Sequence, residues 1–209
     1  MEYFVTAIIS YLLGTINAAY FIGKAHGFDI RERGSHNAGA SNIKVNFGWG
    51  AAAFTCLCDM FKAIVAVKLC TYLYPDNEII PFLAGAMAVI GHIFPFYMGF
   101  RGGKGFASYL GMLIALDWKF ALVAMATTAV VSLITNYIVA GTLMVMVMSP
   151  IYFFCSGANT VGVIIVSCLS LLIIWKHRIN IRRIIKHEEM VIFDRNKKKD
   201  QNDNGQQDQ

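Results

Sequence analysis

The chain has little charge and few prolines for its length. Only 15% of its 209 residues are Asp, Glu, Lys or Arg, 56% are hydrophobic, and 4 are proline. Its mean hydropathy of +0.53 excludes an ordinary soluble domain. Apolar runs of about 17–25 residues have the length of a bilayer span. The composition therefore predicts a polytopic integral membrane protein, and we expect no nucleic-acid partner.

Several familiar kinds of site are also missing. The five cysteines all lie in apolar segments and form no CxxC pair, so we predict no disulfide framework, no zinc site, and no other metal or cofactor. The phosphate-binding spacing GxxxxGK[ST] does not occur. The N-terminus has neither a basic region nor a small-residue cleavage site. Its first apolar segment is therefore predicted to be a retained span rather than a signal peptide.

The apolar segments predict an all-α, seven-helix bundle that includes short or half-length helices. The fourth segment has only 11 residues and reaches about 17 Å, whereas the hydrocarbon core needs about 30 Å. It therefore has to begin part-way into the membrane, with the preceding loop sunk into a cavity. The predicted spans are residues 3–22, 49–74, 79–98 (interrupted at Pro95), 106–116, 120–134, 137–154 and 159–175, with a polar loop at 24–48.

The distribution of basic residues predicts the orientation. Most of the 18 Lys and Arg fall in the loop after the first span, the loop before the fourth, and the C-terminal region. The opposite side has only Lys119 among its basic residues, with Asp76, Glu78 and Asp117. The positive-inside rule then places the N-terminus outside and the C-terminus in the cytoplasm. We predict one membrane domain over residues 1–190 and a polar, disordered cytoplasmic tail over 191–209.

The glycine-rich loop within residues 91–108 is the strongest candidate site. Gly102, Gly103 and Gly105 surround Lys104, so the backbone there can turn its N–H groups toward an anion beside a positive charge. The loop opens into an apolar helix, whose N-terminus favours phosphate. His92 is costly inside a span unless it is hydrogen-bonded, which makes it a further candidate. The alternative is a flexible cytoplasmic turn that happens to contain a lysine.

Two more polar segments are predicted on the same side. GSHNAGASN, residues 34–42, offers glycines, hydroxyls and amides to an anion, although such residues also make ordinary turns. Residues 176–189 fit an amphipathic helix at the membrane surface, where arginines attract anionic lipid. Within it His177 and Asn180, three apart, could point together into the site. Asp59 and Lys62, three apart in the second span, either pair with each other or serve function.

These motifs occur in an order that resembles one family. GSHNAGASN, DMFKA, GHIFPFYMGFRGGKGFAS and HRINIRRI followed by Glu189 are similar to the bacterial membrane acyl-phosphate:glycerol-3-phosphate acyltransferases, over residues 3 to about 190. The resemblance implies a multi-pass enzyme of the plasma membrane with its active site at the cytoplasmic face. It implies transfer of a fatty acyl chain from acyl phosphate to the 1-hydroxyl of glycerol 3-phosphate, giving lysophosphatidic acid and phosphate. It says nothing of oligomeric state.

The resemblance also assigns roles residue by residue. Four residues match positions that hold the phosphate of glycerol 3-phosphate and form the catalytic set: Ser35, Lys104, His177 and Asn180. Four match positions around the acyl phosphate: Gly39, Ser41, Gly103 and Thr142. His92 and Glu189 match supporting positions, and Gly34, Asn37, Asn42, Lys44, Gly102 and Gly105 complete the predicted substrate-binding set.

Several residues depart from the family pattern. Val45 stands where an arginine that binds glycerol phosphate is expected, and Asn136 stands where another arginine is expected. His36 and His187 each replace a glycine, and Asn17 replaces a proline. The departures leave two alternatives to an active acyltransferase: a membrane transporter using the same anion-receptive loops, and a non-catalytic paralogue that binds an anionic lipid precursor.

Overall fold

The protein, described here over residues 1–193 of a computed structural model, is helical throughout that range and contains no strand there. Each of the seven predicted apolar segments is helical, and the predicted all-α membrane fold is confirmed. The nine α-helices of these residues are α1 Glu2–Thr15, α2 Ala18–Ala25, α3 Ala40–Leu73, α4 Ile80–Ile93, α5 Phe106–Leu116, α6 Trp118–Thr135, α7 Ile138–Cys155, α8 Thr160–Lys176 and α9 Arg178–Ile185.

The membrane spans follow from length and composition. Five segments have at least 18 residues and enough apolar character to cross a bilayer, and α1 and α2 together make the first of them. α8 and α9 form a sixth candidate, bent by 50°. α5 has the predicted 11 residues and is too short to cross by itself. The tail predicted over 191–209 lies outside the described residues from 194 onward.

Glycines allow the central helices to approach closely. A Cβ on Gly14 of α1 would overlap the carbonyl of Ala88 in α4, and a Cβ on Gly91 would overlap the carbonyl of Tyr11. Gly111 of α5 lies against the carbonyl of Met60 in α3 in the same way. Helices in membranes commonly pack through small residues. Lipid tails are as apolar as the side chains, so no hydrophobic force drives the helices together and close packing has to do so.

The prediction of a polar loop over residues 24–48 is only partly correct. α3 begins at Ala40, and Gly48, with φ of 82°, breaks it into a short helix before the break and a long span after it. Polar residues at 40–47 obscured this helix in the sequence, because it does not continue the apolar pattern of the span. A 3₁₀ turn at Ile30–Glu32 precedes it, with Asp29 capping the turn through the backbone N–H of Arg31.

Two spans are interrupted near the same end of the bundle. The first breaks between α1 and α2, where the Asn17 carboxamide oxygen accepts a hydrogen bond from the N–H of Tyr20 and caps α2. α4 ends at Ile93, just before Pro95, as the missing proline N–H predicts. Irregular backbone at membrane depth is tolerated where protein surrounds it, so these breaks mark the end of the bundle at which a polar site is stable.

Candidate functional site

Two segments that are distant in sequence, the glycine loop and α9, meet at Lys104. The Lys104 ammonium donates a hydrogen bond to the Asn180 carboxamide oxygen, with Nζ and Oδ1 2.5 Å apart. Asn180, only 7% exposed, turns its amide nitrogen to Oε1 of Glu189 at 2.6 Å. The glycine loop, α9 and Glu189 therefore form one hydrogen-bonded cluster, which contains Asn180 of the predicted pair His177 and Asn180.

The glycine loop closes the end of α4, and this corrects one expectation. The N–H groups of Gly102 and Gly103 donate to the carbonyls of Ile93 and His92, at 3.0 and 3.1 Å. These two N–H groups cap α4 and are not free for an anion, contrary to the prediction that they turn toward one. The donors left for an anion lie further on, at the N-terminus of α5, because the first turn of a helix has no intrahelical acceptors for its N–H groups.

Gly103 brings the two predicted anion-receptive loops together. A Cβ on Gly103 would overlap Nε2 of His92 and would lie 2.9 Å from the carbonyl oxygen of Ala38. The Asn17 amide donates to the same carbonyl at 3.2 Å. Only glycine fits between the histidine ring and the loop at residues 34–42. The predicted site residues His92, Gly103 and that loop are therefore neighbours.

A buried charged triad lies behind the His92 ring. Asp59, Lys62 and His92 are 2%, 6% and 3% exposed. Lys62 Nζ lies 2.8 Å from Asp59 Oδ1, 2.9 Å from His92 Nδ1 and 2.6 Å from the carbonyl oxygen of Ile16. Three acceptors thus use the three protons of the ammonium. The alternative that Asp59 and Lys62 pair with each other is correct, and His92 is the third member.

The triad also indicates which nitrogen of His92 carries the proton. Nδ1 lies 2.9 Å from the Lys62 ammonium, which can only donate, and 3.2 Å from Asp59 Oδ1, which can only accept. We assign Nδ1 as the acceptor from Lys62, because that contact is the shorter one and a proton on Nδ1 would point at the ammonium protons. In a neutral imidazole the other nitrogen is then the donor. Nε2 is the atom that faces Gly103. The triad therefore presents an N–H group to the glycine loop.

The loop at residues 34–42 is organised by Asn42, which is fully buried. Its carboxamide oxygen accepts the N–H of Ser35 at 2.8 Å, and its amide donates to the carbonyls of Ile30 and Arg33 at 2.8 and 3.0 Å. These bonds occupy the side chain with backbone groups. Asn42 was predicted to bind substrate, but its side chain instead holds the loop that carries Ser35. This structural role agrees with the alternative that these residues make an ordinary turn.

Arg31, just before this loop, bonds to the segment between α4 and α5. Its guanidinium pairs with Asp29 at 2.6 Å and donates to the carbonyls of Met98 and Arg101 at 2.6 and 3.1 Å. Asp29 lies outside the spans, and its hydrogen bond with Arg31 holds the pKa of the carboxyl below its usual value. An ion pair with two further acceptors fixes the approach of the loops more firmly than a lone surface pair would.

His177 occupies the bend between α8 and α9 and is 5% exposed. Its Nδ1 lies 2.8 Å from the carbonyl oxygen of Ile173. A carbonyl only accepts, so Nδ1 carries a proton and Nε2 has its lone pair available in the neutral ring. His177 therefore supplies a hydrogen-bond acceptor on the same bend that positions Asn180.

The Lys104 ammonium is mostly withdrawn from water. Burial lowers the pKa of Lys104 to about 8; the negative charge of Glu189 raises it, and the positive charges of Arg183 and Lys176 lower it. A lysine that needs an anionic partner to hold its proton is suited to binding a phosphate. Perturbed ionisable groups of this kind concentrate at functional sites.

Comparisons with known proteins agree with this geometry. The sequence profile of the family described as glycerol-3-phosphate acyltransferase matches residues 4–187. A protein of that name from Prochlorococcus marinus (strain MIT 9215) is 39% identical over 186 residues, which cover 88% of this chain and 94% of the relative. The chain belongs to the glycerol-3-phosphate acyltransferase family. The resemblance drawn from the sequence motifs is confirmed.

Solved structures of this family show the same fold. The chain is similar to a crystal structure of PlsY (YgiH), an integral membrane glycerol 3-phosphate acyltransferase, in its glycerol 3-phosphate form, with a TM-score of 0.86 and 26% identity. The lysophosphatidic acid form of PlsY gives a TM-score of 0.84, also at 26% identity. In both cases 92% of this chain and 96% of the other are covered.

The remaining predicted site residues have mainly local contacts in the described part of the chain. Thr142 is buried in α7 and donates to the carbonyl of Ile138 at 3.3 Å. Lys44 lies over the ring of Trp49, 3.9 Å from its centroid, and the Val45 side chain is 52% exposed. Gly34 and Gly105 have positive φ, whereas Asn37, Gly39 and Ser41 lie on the loop and first turn that lead into α3.

Two departures from the family pattern have a backbone explanation. His36 and His187 each replace a glycine, and both have φ of 58°, in the left-handed region that glycine favours. His36 offsets part of the strain by bonding its Nδ1 to the carbonyl of Arg31 at 3.0 Å. At His187 the N–H groups of His187 and Glu188 donate to the carbonyls of Ile184 and Arg183, which is the usual termination of a helix by a left-handed residue.

The sequence identified these residues as candidates but did not show which of them bond to each other. His92 was considered separately from the Asp59–Lys62 pair, because 30 positions separate His92 from Lys62. A usable signal was present: three ionisable groups in apolar spans need partners, and each could be the partner of the others. The role of Asn136 described below had no signal in the sequence, because its partners are backbone groups.

Proposed function

We propose that this protein transfers a fatty acyl group from acyl phosphate to the 1-hydroxyl of glycerol 3-phosphate, giving lysophosphatidic acid and inorganic phosphate. The observation that carries the proposal is that the glycine loop meets the loop at residues 34–42 at Gly103 and meets Asn180 of α9 at Lys104. Membership of the acyltransferase family supports it, as does the likeness to PlsY in its glycerol 3-phosphate and lysophosphatidic acid forms.

Charge neutralisation is the main task of such a site. Both substrates carry phosphate groups, which repel each other when they are brought together. Lys104 and the N-terminus of α5 supply positive potential between them, and the buried position of Lys104 strengthens the attraction because water screens it little. Positioning two reactants in this way contributes about 7–11 kcal/mol toward the barrier.

The chemistry needs no metal and no covalent enzyme intermediate, because acyl phosphate is an activated mixed anhydride. The glycerol 3-phosphate hydroxyl oxygen forms a new bond to the acyl carbon, and the bond from that carbon to the phosphate oxygen breaks. The hydroxyl proton leaves with the released phosphate. We propose that the lone pair of His177 Nε2 orients the hydroxyl, and that the His92 Nε2–H and the amides at the start of α5 stabilise the negative charge on the carbonyl oxygen.

The remaining predicted residues have supporting roles in this proposal. Ser35, on the loop held by Asn42, joins Lys104 and Asn180 in holding the phosphate of glycerol 3-phosphate. Ser41 and Thr142 are proposed to face the acyl phosphate, with Gly39 and Gly103 permitting close approach of the backbone. The half-length α5 leaves the loop within the membrane depth, so that the acyl tail reaches lipid while the phosphates stay at the polar end.

We also propose the orientation that the basic residues predict, with the site at the cytoplasmic face of the plasma membrane. The described contacts support the grouping on which this rests. Arg31 reaches the backbone of Arg101, and Lys104 reaches Asn180 of the basic C-terminal region. The opposite end carries Glu2, whose carboxylate accepts a bond from Asn77 at 3.0 Å.

The acyl donor is tested with the purified protein in lipid and radiolabelled glycerol 3-phosphate. Lysophosphatidic acid should form with synthetic acyl phosphate and should not form with the acyl-coenzyme A of the same chain. Product from the coenzyme A ester alone would contradict the proposed donor. Absence of product with either donor, together with retained binding of acyl phosphate, would instead show a non-catalytic paralogue.

A further inference from the structure

The segment after α9 is bonded to the turn between α6 and α7 by a single residue, Asn136. We call residues 186–193 the C-terminal strap. The Asn136 carboxamide oxygen accepts the N–H groups of Ile192 and Phe193, at 3.1 and 2.8 Å. Its amide nitrogen donates to the carbonyl of Phe193 at 3.0 Å, and its own carbonyl accepts the N–H of Ile192 at 3.1 Å. We call this set of four bonds the Asn136 clasp.

Asparagine suits this position for two reasons. Asn136 ends α6 in the left-handed conformation, with φ of 64°, which asparagine tolerates better than most residues. A carboxamide also offers one acceptor and one donor group, so it can match both an N–H and a C=O of an extended backbone. The family pattern predicts an arginine here, which offers no acceptor. The clasp is therefore a feature of this chain's own residue.

The strap carries Glu189 into the site. Glu189 Oε1 accepts the amide of Asn180 at 2.6 Å, and its other oxygen, Oε2, is also buried. This bond decides which end of the Asn180 carboxamide faces Lys104, because a carboxylate can only accept. With Nδ2 turned to Glu189, the oxygen of Asn180 is turned to the Lys104 ammonium. Burying a carboxylate is costly, so the strap needs an anchor beyond Glu189 to remain in place.

We propose that Asn136 is a positioning residue for acyl transfer: its clasp holds the strap so that Glu189 orients Asn180 and Lys104. The inference rests on the function proposed above, since it assigns Asn136 a part in that site. Asn136 itself touches neither the Lys104 nor the Asn180 side chain through any recorded bond within residues 1–193. Its effect passes through the backbone of Ile192 and Phe193 to Glu189, which lies three positions before Ile192.

The first test is structural and does not depend on activity. Asn136→Gly keeps the left-handed backbone and removes the three side-chain bonds of the clasp without added strain, leaving only the bond from the Ile192 N–H to the backbone carbonyl. Hydrogen exchange of the full-length protein should become faster at the Phe193 amide, with a smaller effect at Ile192 and with α6 and α7 unchanged. Thr135→Ala is the matched control, because within residues 1–193 the Thr135 hydroxyl bonds to the backbone of Val131 and Tyr137 and to no residue of the strap. Unchanged exchange in Asn136→Gly would overturn the clasp.

The second test is kinetic and separates positioning from general stability. Asn136→Gly should raise the KM for glycerol 3-phosphate about 3- to 10-fold, the factor expected for one or two lost hydrogen bonds, and should leave the KM for acyl phosphate unchanged. Asn136→Asp, which keeps the acceptor and loses the donor, should lie between. Thr135→Ala should match the wild type. Equal changes in both KM values, or none, would contradict the positioning role.

A third variant links the clasp to Glu189. The charge of Glu189 raises the pKa of Lys104, so its removal should move the alkaline loss of kcat/KM to lower pH. Glu189→Gln should produce this shift while the exchange of Ile192 and Phe193 stays slow, and Asn136→Gly should produce both effects. A shift in Glu189→Gln alone would overturn the inference about Asn136 while leaving the proposed function intact. An inactive wild type would contradict the proposed function, and the exchange result would still stand.

Discussion

Lys104 combines a positive charge with a largely buried position, and this governs the response of the site to pH. Its pKa is lowered to about 8, so the free enzyme loses the ammonium as the pH rises through that value. A bound phosphate favours the charged form and raises the pKa. We expect kcat/KM for glycerol 3-phosphate to fall above about pH 8, because this ratio reports the free enzyme, while kcat stays level to higher pH. Initial rates over a pH series test this, and a parallel fall of both parameters would contradict it.

Val45 is the departure with the clearest expected consequence. Its side chain is 52% exposed on the short helix before Gly48, where the family pattern predicts an arginine. An arginine offers a bidentate, charge-assisted clamp on phosphate. Val45→Arg should lower the KM for glycerol 3-phosphate, by about 10- to 150-fold if a full charged hydrogen bond of about 1.5–3 kcal/mol is restored. The KM for acyl phosphate should not change.

Lys44 supplies the control for that substitution. It lies over Trp49, as a point charge without the arginine fork. If Lys44 compensates for the missing arginine, Lys44→Ala should raise the acceptor KM in the native protein and have less effect in Val45→Arg. An unchanged acceptor KM in both variants would show that no phosphate binds near this helix.

At the level of elements, the Asp59–Lys62–His92 triad joins α3, α4 and the break in the first span. Lys62 donates a hydrogen bond to the carbonyl of Ile16, and His92 lies against Gly103 of the glycine loop. The triad therefore packs against backbone segments that lie outside the helices. Removing Asp59 or Lys62 leaves the charge of the other uncompensated and buried, which costs about 3–5 kcal/mol. We expect Asp59→Asn to lower the thermal stability of the detergent-solubilised protein accordingly.

A double-mutant cycle distinguishes a coupled triad from three separate contacts. Asp59→Asn combined with Lys62→Met should be less destabilised than the sum of the single changes, by about 0.5–3 kcal/mol. Lys68→Met is the matched control, since Lys68 lies exposed on the same helix. Strictly additive effects would show that the three side chains do not act as one unit.

At the scale of the whole molecule, the orientation proposed above has a direct test. Single cysteines at exposed Glu32 and Asp76, in a background without the five native cysteines, are treated in intact cells with an impermeant maleimide. Asp76→Cys should be labelled and Glu32→Cys should be protected until the cells are permeabilised, because basic residues crowd the cytoplasmic side. The reverse pattern would overturn the orientation and the cytoplasmic site.

The sequence predicted the helices well and their connections less well. Apolar length alone located α5, and Pro95 located the end of α4, because these features are local. Hydrophobicity gave no sign of the helix at 40–47, in which polar residues interrupt the apolar ones and which ends at Gly48. The N–H groups of Gly102 and Gly103 were expected to bind an anion, but they cap α4 instead. Such pairings depend on how distant segments meet, and composition does not contain that information.

The most direct test of the central claim follows both products of one reaction with the wild-type protein and Lys104→Met. The acyl phosphate carries ¹⁸O in the oxygen that bridges carbon and phosphorus. The wild type should release equal amounts of phosphate and lysophosphatidic acid, with the label entirely in the phosphate, because the hydroxyl oxygen of glycerol 3-phosphate becomes the ester oxygen. Lys104→Met, folded as the wild type is, should lose both products together. Phosphate released without lysophosphatidic acid, or wild-type turnover in Lys104→Met, would contradict acyl transfer at this site.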